Sequence, residues 1–425
     1  MKNKALFLLL ALGSLGSSAA LAQSAAPAAA ATGLSATGAQ RLDQLLTEYT
    51  ADQREPGAIA LLMRNGKVVY RKAFGYADVA AKTPLQPDAI VRIASQTKAL
   101  TSTALMLLYD EGKFQLDDPV SKYLPAFRNA KVVATFNPKD SSYTTVPARS
   151  EVTIRQLLTH TSGIGYPIIG TAEARAIYAK AHIPSGIGSP AGTLAAAIDR
   201  LGALPLLHQP GERFTYGLSV DVVGRLVEVL SGQPLDKFLR ARLFDPLGMR
   251  DTYFYLPAAR QGRLVPLYTE DARHHTLARL PITDGMPPDY PKLAGTYFSG
   301  GSGLSSTIDD YAAFLQMLLD GGTYHGHRLL KAATVALMTQ NQIGDVNQGL
   351  NKFGLGFSIT TTQGAAQTGL SEGSFAWGGI FGTTYWVDPR QQLVALLYTQ
   401  KYPSGTGAGL TSKFEKAVYE ALATK

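Results

Sequence analysis

Ile93-Ala94-Ser95-Gln96-Thr97-Lys98 places a serine three residues before a lysine at the start of an apolar-periodic segment. From Ser95 to Lys113 the chain runs SQTKALTSTALMLLYDEGK. Apolar residues recur on one side at Leu100, Ala104, Leu107 and Leu108, and Gly112 follows as a stop signal, so the segment is expected to be a helix. Residues three apart are neighbours on one helix face. The Ser95 hydroxyl and the Lys98 amine therefore meet at the helix start, where the positive end of the helix dipole favours a developing alkoxide. Such a pair is a serine nucleophile with its own base. An N-capping serine followed by a solvated lysine would give the same tetrapeptide, so the surrounding chain has to decide.

Outward from this stretch, the pattern predicts an α+β domain. On the N-terminal side a helix is expected over Ala39–Ala51. Two apolar runs, Gly57–Arg64 and Lys67–Phe74, flank Asn65-Gly66, a strong hairpin signal. On the C-terminal side come helical stretches at Val152–Leu158, Thr193–Leu201, Val220–Leu230, Ser306–Asp320 and Lys331–Met338. Three strand-like runs follow, Ser374–Gly378, Thr383–Val387 and Gln392–Thr399, and then a helix at Leu410–Ala423. The reading is an antiparallel sheet built from both chain ends (about 39–116 and 291–425) and flanked by helices. A mainly helical region, about 117–290, is inserted between them, with the active site in the groove between the two parts.

Composition sets further bounds. The first 22 residues combine Lys2 and Lys4, an apolar core from Ala5 to Leu12 and a small-x-small site at Ala20-Leu21-Ala22, the pattern of a cleaved secretory signal. A periplasmic or secreted protein is expected, with residues 23–38 as a disordered Ala/Ser/Gly-rich leader and no stable membrane anchor. The absence of cysteine excludes a thiol nucleophile, disulfides and Cys-ligated zinc. The net charge of +8 is scattered rather than clustered, so no nucleic-acid partner is expected.

Several further stretches complete a constellation: Thr153–Gly163 (TIRQLLTHTSG), Gln209–Tyr216 (QPGERFTY), Pro246-Leu247-Gly248-Met249 and Trp377-Gly378-Gly379. Together with Ser95–Lys98, and in this order, they resemble the serine hydrolases related to class C β-lactamases. That family also holds DD-peptidases and the family VIII carboxylesterases. The resemblance covers about Ala39 to the C-terminus and implies a β-lactamase/penicillin-binding-protein-like fold. It implies Ser95 as the residue acylated by substrate, Lys98 as the lysine assisting its deprotonation, and Tyr216 as the general base that returns the proton to the leaving group. A phenol is a poor base at neutral pH, but a nearby ammonium favours its ionised form and the pair can share a proton. By the same resemblance the N–H groups of Ser95 and Ile380 form the oxyanion hole, such donors lowering the barrier by about 3 kcal/mol each. Trp377, Gly378, Gly379 and Leu218 line the substrate groove, where bare glycines allow a close backbone approach.

Two departures bear on substrate. β-Lactamases of the family carry asparagine two residues after the tyrosine; here the position is Leu218. Their Lys-Thr-Gly is Trp377-Gly378-Gly379 here. Both changes remove polar contacts that anionic β-lactams and peptide C-termini need, and a neutral ester needs neither. The expectation is therefore a carboxylesterase for short-chain esters, needing no cofactor. The alternatives are a β-lactamase, a D-alanyl-D-alanine peptidase or amidase, or a silent wall-binding relative, which would have no need of Ser95, Lys98 and Tyr216 together. Tyr166 and Phe381 are pocket candidates by their closeness to motifs in the sequence.

Other motifs carry less. Gly369-Leu370-Ser371-Glu372-Gly373 matches a nucleophile elbow, but all seven histidines precede Ser371, which the Ser–Asp–His order of that motif forbids. It is read as a loop before a strand. His160, just after a helix, is expected to make a structural hydrogen bond. His274-His275 and His325-Gly326-His327 lack a metal-binding pattern and are read as surface loop features.

Overall fold

The computed structural model describes residues 33–271, 276–283, 286–403 and 409–423. The secretory signal, most of the expected leader and His274-His275 lie outside these residues. The hairpin Gly57–Arg64/Lys67–Asp78 forms around Asn65-Gly66, whose positive φ angles suit the tight turn. Its first strand pairs antiparallel with the C-terminal strand Leu393–Tyr398, from Ile59 opposite Tyr398 to Arg64 opposite Leu393. That pairing joins the two chain ends. An antiparallel sheet of eight strands results, in the order 352–353, 358–359, 375–379, 383–388, 393–398, 57–64, 67–78 and 83–84.

Alternation along the strands explains the two layers. Ala58, Ala60 and Leu62 face the helices Ala36–Ala51 and Leu410–Ala423, together with Trp386, Ala395 and Leu397. Ile59 and Leu61 face the other way, into the main core with Tyr385, Leu396 and Tyr398. The N-terminal helix begins at Ala36 rather than Ala39. Ser35 caps it by accepting from the Gly38 N–H, and Leu34 is buried, so residues 33–38 belong to the fold and not to a leader.

The nucleophile segment also differs from its expected form. Ala94–Gln96 is a separate 3-10 turn, and the α-helix runs Thr97–Asp110. Its residues Thr97 to Leu108 are all buried, so it is a central helix packed on every side rather than an amphipathic one. Two of its hydroxyls find partners inside the protein: the Thr101 hydroxyl donates to the Gly300 carbonyl (2.8 Å) and the Thr97 hydroxyl accepts from the Leu304 N–H (3.1 Å). The region between the sheet-forming ends contains the helices Leu194–Gly202 and Ser219–Ser231. It also holds two hairpins that the hydrophobic periodicity does not announce, Lys131–Phe136/Tyr143–Pro147 and Tyr268–Asp271/Thr276–Arg279. Their strands are largely solvent-facing and lack a clean alternation. Ser371 lies in a loop before the strand Phe375–Gly379, and His325-Gly326-His327 is exposed at a short hairpin.

Arg92 ties this middle region to the nucleophile turn. It is fully buried, and its guanidinium donates to the carbonyls of Val265 and Pro288 (2.7 Å each) and to Asp289 (3.2 Å). Removing such a donor strands buried acceptors. Arg92→Leu is expected to cost about 2–5 kcal/mol of stability by urea unfolding, and a cost under about 1 kcal/mol would contradict this role.

Candidate active site

Three separated segments converge on the Ser95 hydroxyl. The Lys98 ammonium lies 3.3 Å from Ser95 Oγ, the i and i+3 pairing expected of a helix start, and also donates to the Gly301 carbonyl at 2.9 Å. The Tyr216 hydroxyl lies 2.7 Å from Ser95 Oγ. The Trp377 indole N–H points at the same Tyr216 oxygen from 3.4 Å. Ser95 and Lys98 are buried, and Tyr216 is half-buried.

The local sequence explains how each group is held. Ala94, immediately before the nucleophile, has a φ of +43°, a left-handed value that a non-glycine residue holds only against strain. The turn is clamped at the next residue: Tyr311 donates to the Gln96 carbonyl and Tyr398 to its side-chain oxygen, both at 2.8 Å. Gly379 comes so close that a Cβ there would lie 2.4 Å from the Ile93 carbonyl oxygen. A bare backbone is thus needed at Gly379 so that the strand can approach the nucleophile turn itself. Beyond Ala376 this strand has no strand partner on its outer side among the described residues, because Ser358–Ile359 pairs only with Ala376 and Phe375. Trp377–Gly379 therefore presents a free edge to the groove.

The Thr153–Gly163 motif is the cradle of Tyr216. The capping box of Thr153 and Gln156 starts the short helix Ile154–Leu158. After it, the His160 carbonyl accepts from the Thr215 N–H (2.7 Å), and the Gly165 carbonyl accepts from the Leu218 N–H (3.0 Å), bracketing Tyr216. His160 itself departs from expectation. Its ring is fully buried among Phe214, Tyr216 and Phe353, and among the described residues neither ring nitrogen has a hydrogen-bond partner. The imidazole serves as a flat packing surface against the Tyr216 ring, with centroids 4.9 Å apart.

Two of the expected groove residues do not reach the site. Leu218 precedes the helix Ser219–Ser231 and is buried in the main core; two residues past Tyr216, the chain has already turned inward. Phe381 sits in the turn after the strand Phe375–Gly379 and packs with Ile187, Leu267 and Tyr290 beside a neighbouring cavity. Tyr166 does line the site, its ring stacked on Tyr216 with centroids 5.8 Å apart. With Ser95, Tyr216, Trp377, Gly378, Gly379 and Ile380 it bounds a cavity of about 360 Å³.

The electrostatics are concentrated beneath this cavity. Burial disfavours the Lys98 ammonium, yet the adjoining Tyr166 and Tyr216 phenols and the Asp221 carboxyl outweigh it, and its pKa is raised above the ordinary lysine value. The ammonium lies 4.6 Å from the centroid of the Tyr216 ring and 5.4 Å from that of Tyr166. Burial pushes the Tyr166 phenol up to about 12 despite Lys98. Asp221 is a functional candidate missed in the sequence. It is fully buried, accepts from the Ser299 hydroxyl at 2.7 Å, and its carboxyl is raised by burial. It faces Lys98 across Gly301, where a Cβ would lie 2.4 Å from Asp221 Oδ2 and 3.5 Å from Lys98 Nζ. An acid inside the otherwise apolar run Val220–Val223 was the available signal. None of the residues lining the cavity is charged, and among the described residues no cluster of His, Asp or Glu could hold a metal. The arrangement can ionise a serine hydroxyl and carry its proton through a phenol held against a buried cation.

The Beta-lactamase family profile matches residues 42–418. The chain belongs to the beta-lactamase family. Esterase EstB of Burkholderia gladioli is 32% identical over 392 residues, 90% of this chain and 95% of the esterase. An uncharacterized protein of Mycobacterium tuberculosis (strain CDC 1551 / Oshkosh) is 34% identical over 368 residues, 82% of this chain and 86% of its own length. Among solved structures, EstCE1, described as a hydrolase with promiscuous acyltransferase activity, superposes with a TM-score of 0.78 at 28% identity, covering 90% of this chain and 98% of its own. Simvastatin synthase LovD of Aspergillus terreus, unliganded, gives 0.76 at 25% identity, covering 92% and 100%. The protein is a serine hydrolase of this family, related to its esterases and acyltransferases.

The buried imidazole carries a pH signature. Burial, and then the Lys98 charge, hold the His160 pKa well below the ordinary value of 6.5. The unfolded chain therefore takes up a proton on this group before the folded protein does, and stability falls as pH drops below about 6.5. Urea unfolding at pH 7 and pH 5 should show a larger loss for the native protein than for His160→Phe. Equal losses would mean that the imidazole is not buried neutral.

Proposed function

We propose that the protein hydrolyses neutral carboxylic esters with short acyl groups through an acyl-enzyme at Ser95. The observation that carries this reading is the charge-free lining of the Ser95 cavity combined with the two short contacts to Ser95 Oγ. A substrate carboxylate, as in β-lactams or peptide C-termini, meets no cation along these walls, whereas a neutral ester loses nothing by entering.

In the first step Ser95 Oγ bonds to the ester carbonyl carbon while its proton passes to Tyr216. The Lys98 ammonium stands beside the Tyr216 ring, 4.6 Å from its centroid. The N–H groups of Ser95 and Ile380 receive the developing oxyanion. The bond to the alcohol oxygen then breaks, and Tyr216 returns the proton to that oxygen. Water, deprotonated by the same tyrosine, adds to the acyl-enzyme and releases the acid, leaving Ser95 protonated again. Asp221 acts at a distance as a positioning residue, balancing the buried lysine. The N-terminal signal pattern supports export to the periplasm or the medium as the setting of this activity.

Turnover of p-nitrophenyl butyrate and nitrocefin, measured side by side, tests the proposal. Fast ester hydrolysis lost in Ser95→Ala, with little nitrocefin cleavage, is expected. In Tyr216→Phe, circular dichroism should be unchanged while kcat/KM for the ester falls by about 10²–10⁴-fold. Dominant nitrocefin turnover would overturn the substrate assignment, and normal ester turnover by Tyr216→Phe would overturn the proton route.

A further inference from the structure

A second cavity of about 370 Å³ adjoins the first. Ile168, Ile187 and Ile380 line both, so these aliphatic side chains form a shared wall between the two spaces. Beyond them the walls include Ile183, Met286 and Phe381, and among the described residues no lining residue is charged. The rim continues the character: Ile168 and Ile169 are 39% and 51% exposed, and Ile282, next to the lining residue Thr283, is 70% exposed. Isolated exposed aliphatics are ordinary, but several around the mouth of one uncharged cavity form an apolar lip.

The position of this cavity relative to the proton route decides which part of a substrate it suits. Tyr216 and Trp377 line the Ser95 cavity and not the second one. In the proposed reaction the alcohol leaves on the Tyr216 side, because that hydroxyl must reach its oxygen. The carbonyl oxygen sits between the Ser95 and Ile380 N–H groups. The remaining substituent on the carbonyl carbon is the acyl chain, and Ile380, whose N–H is assigned to the oxyanion, also lines the second cavity, as does Ile187.

Resting on the ester-hydrolase reading, we propose that the second cavity is an acyl-chain pocket, which extends the substrate range from short acyl groups to unbranched medium-length ones such as octanoyl. Each methylene that leaves water for such a wall gains about 0.8 kcal/mol. The occupant is the acyl group of the substrate, uncharged and aliphatic, and the alcohol stays in the first cavity.

Ala179 offers a way to fill the pocket without touching the catalytic groups. It lines the second cavity from an exposed position of the helix Ala172–Lys180. With the leaving group held constant, Ala179→Phe is expected to lower kcat/KM for p-nitrophenyl octanoate about tenfold and to leave p-nitrophenyl acetate within about twofold. Met286→Ala, which opens the same cavity, should leave acetate turnover in place and preserve octanoate turnover. Equal effects of Ala179→Phe on both esters would overturn the proposal. So would a selective loss on acetates of bulky alcohols, which would assign the cavity to the leaving group. A binding arm separates this from the parent reading. Calorimetric titration of the Ser95→Ala protein with p-nitrophenyl octanoate should give a Kd that Ala179→Phe weakens about tenfold, whether or not the native protein turns esters over. An unchanged Kd would overturn the pocket even if the esterase reading stands.

Discussion

The site depends on how the turn Ala94–Gln96 is clamped. A nucleophile in a buried turn, preceded by a residue at positive φ, stays in place only if its surroundings over-determine it. Tyr311 and Tyr398 hold Gln96, one from the helix Ile308–Leu319 and one from the C-terminal strand. Gly379 lets a second strand press against Ile93. Both strands belong to the sheet that only the pairing of the two chain ends completes. The fold thus delivers rigidity to one hydroxyl, and the spacing of Lys98 and Tyr216 around it follows.

Charge is arranged in the same economical way. Two phenols line the Ser95 cavity, one ammonium and one carboxyl lie buried beside them, and among the described residues none that lines either cavity carries charge. Desolvation by itself would push Lys98 toward the neutral amine. Its aromatic and acidic neighbours reverse that, so a cation is kept beside the Tyr216 ring. A cation fixed next to the reacting proton is worth more there than in water, because the surroundings screen it poorly.

Much of this was legible in the sequence, for identifiable reasons. Asn65-Gly66 between two apolar runs has few alternatives to a hairpin. Ser95 and Lys98 meet because three-residue spacing is a local property of helical backbone, and it survives the change from one helix to a 3-10 turn followed by a helix. Tyr216 was found through its motif, not its chemistry. The failures concern direction rather than composition. Leu218 is two residues from Tyr216, but the chain dives into the core between them, and Phe381 follows a turn that points it at the next cavity. His160 was assigned a hydrogen bond from its type, and tertiary packing instead used its flat ring. Asp221 could not be ranked above other acids until its burial under Lys98 was known.

In the proposed reaction every turnover passes through a covalent intermediate on Ser95. Acid quenching of the protein during turnover of p-nitrophenyl butyrate, followed by mass mapping of its peptides, would trap it. A butyryl increment confined to the peptide that contains Ser95, and missing when Ser95→Ala is treated in the same way, is the predicted result. Ester turnover with no acylated peptide, or with the increment on a peptide containing Ser371, would contradict the account.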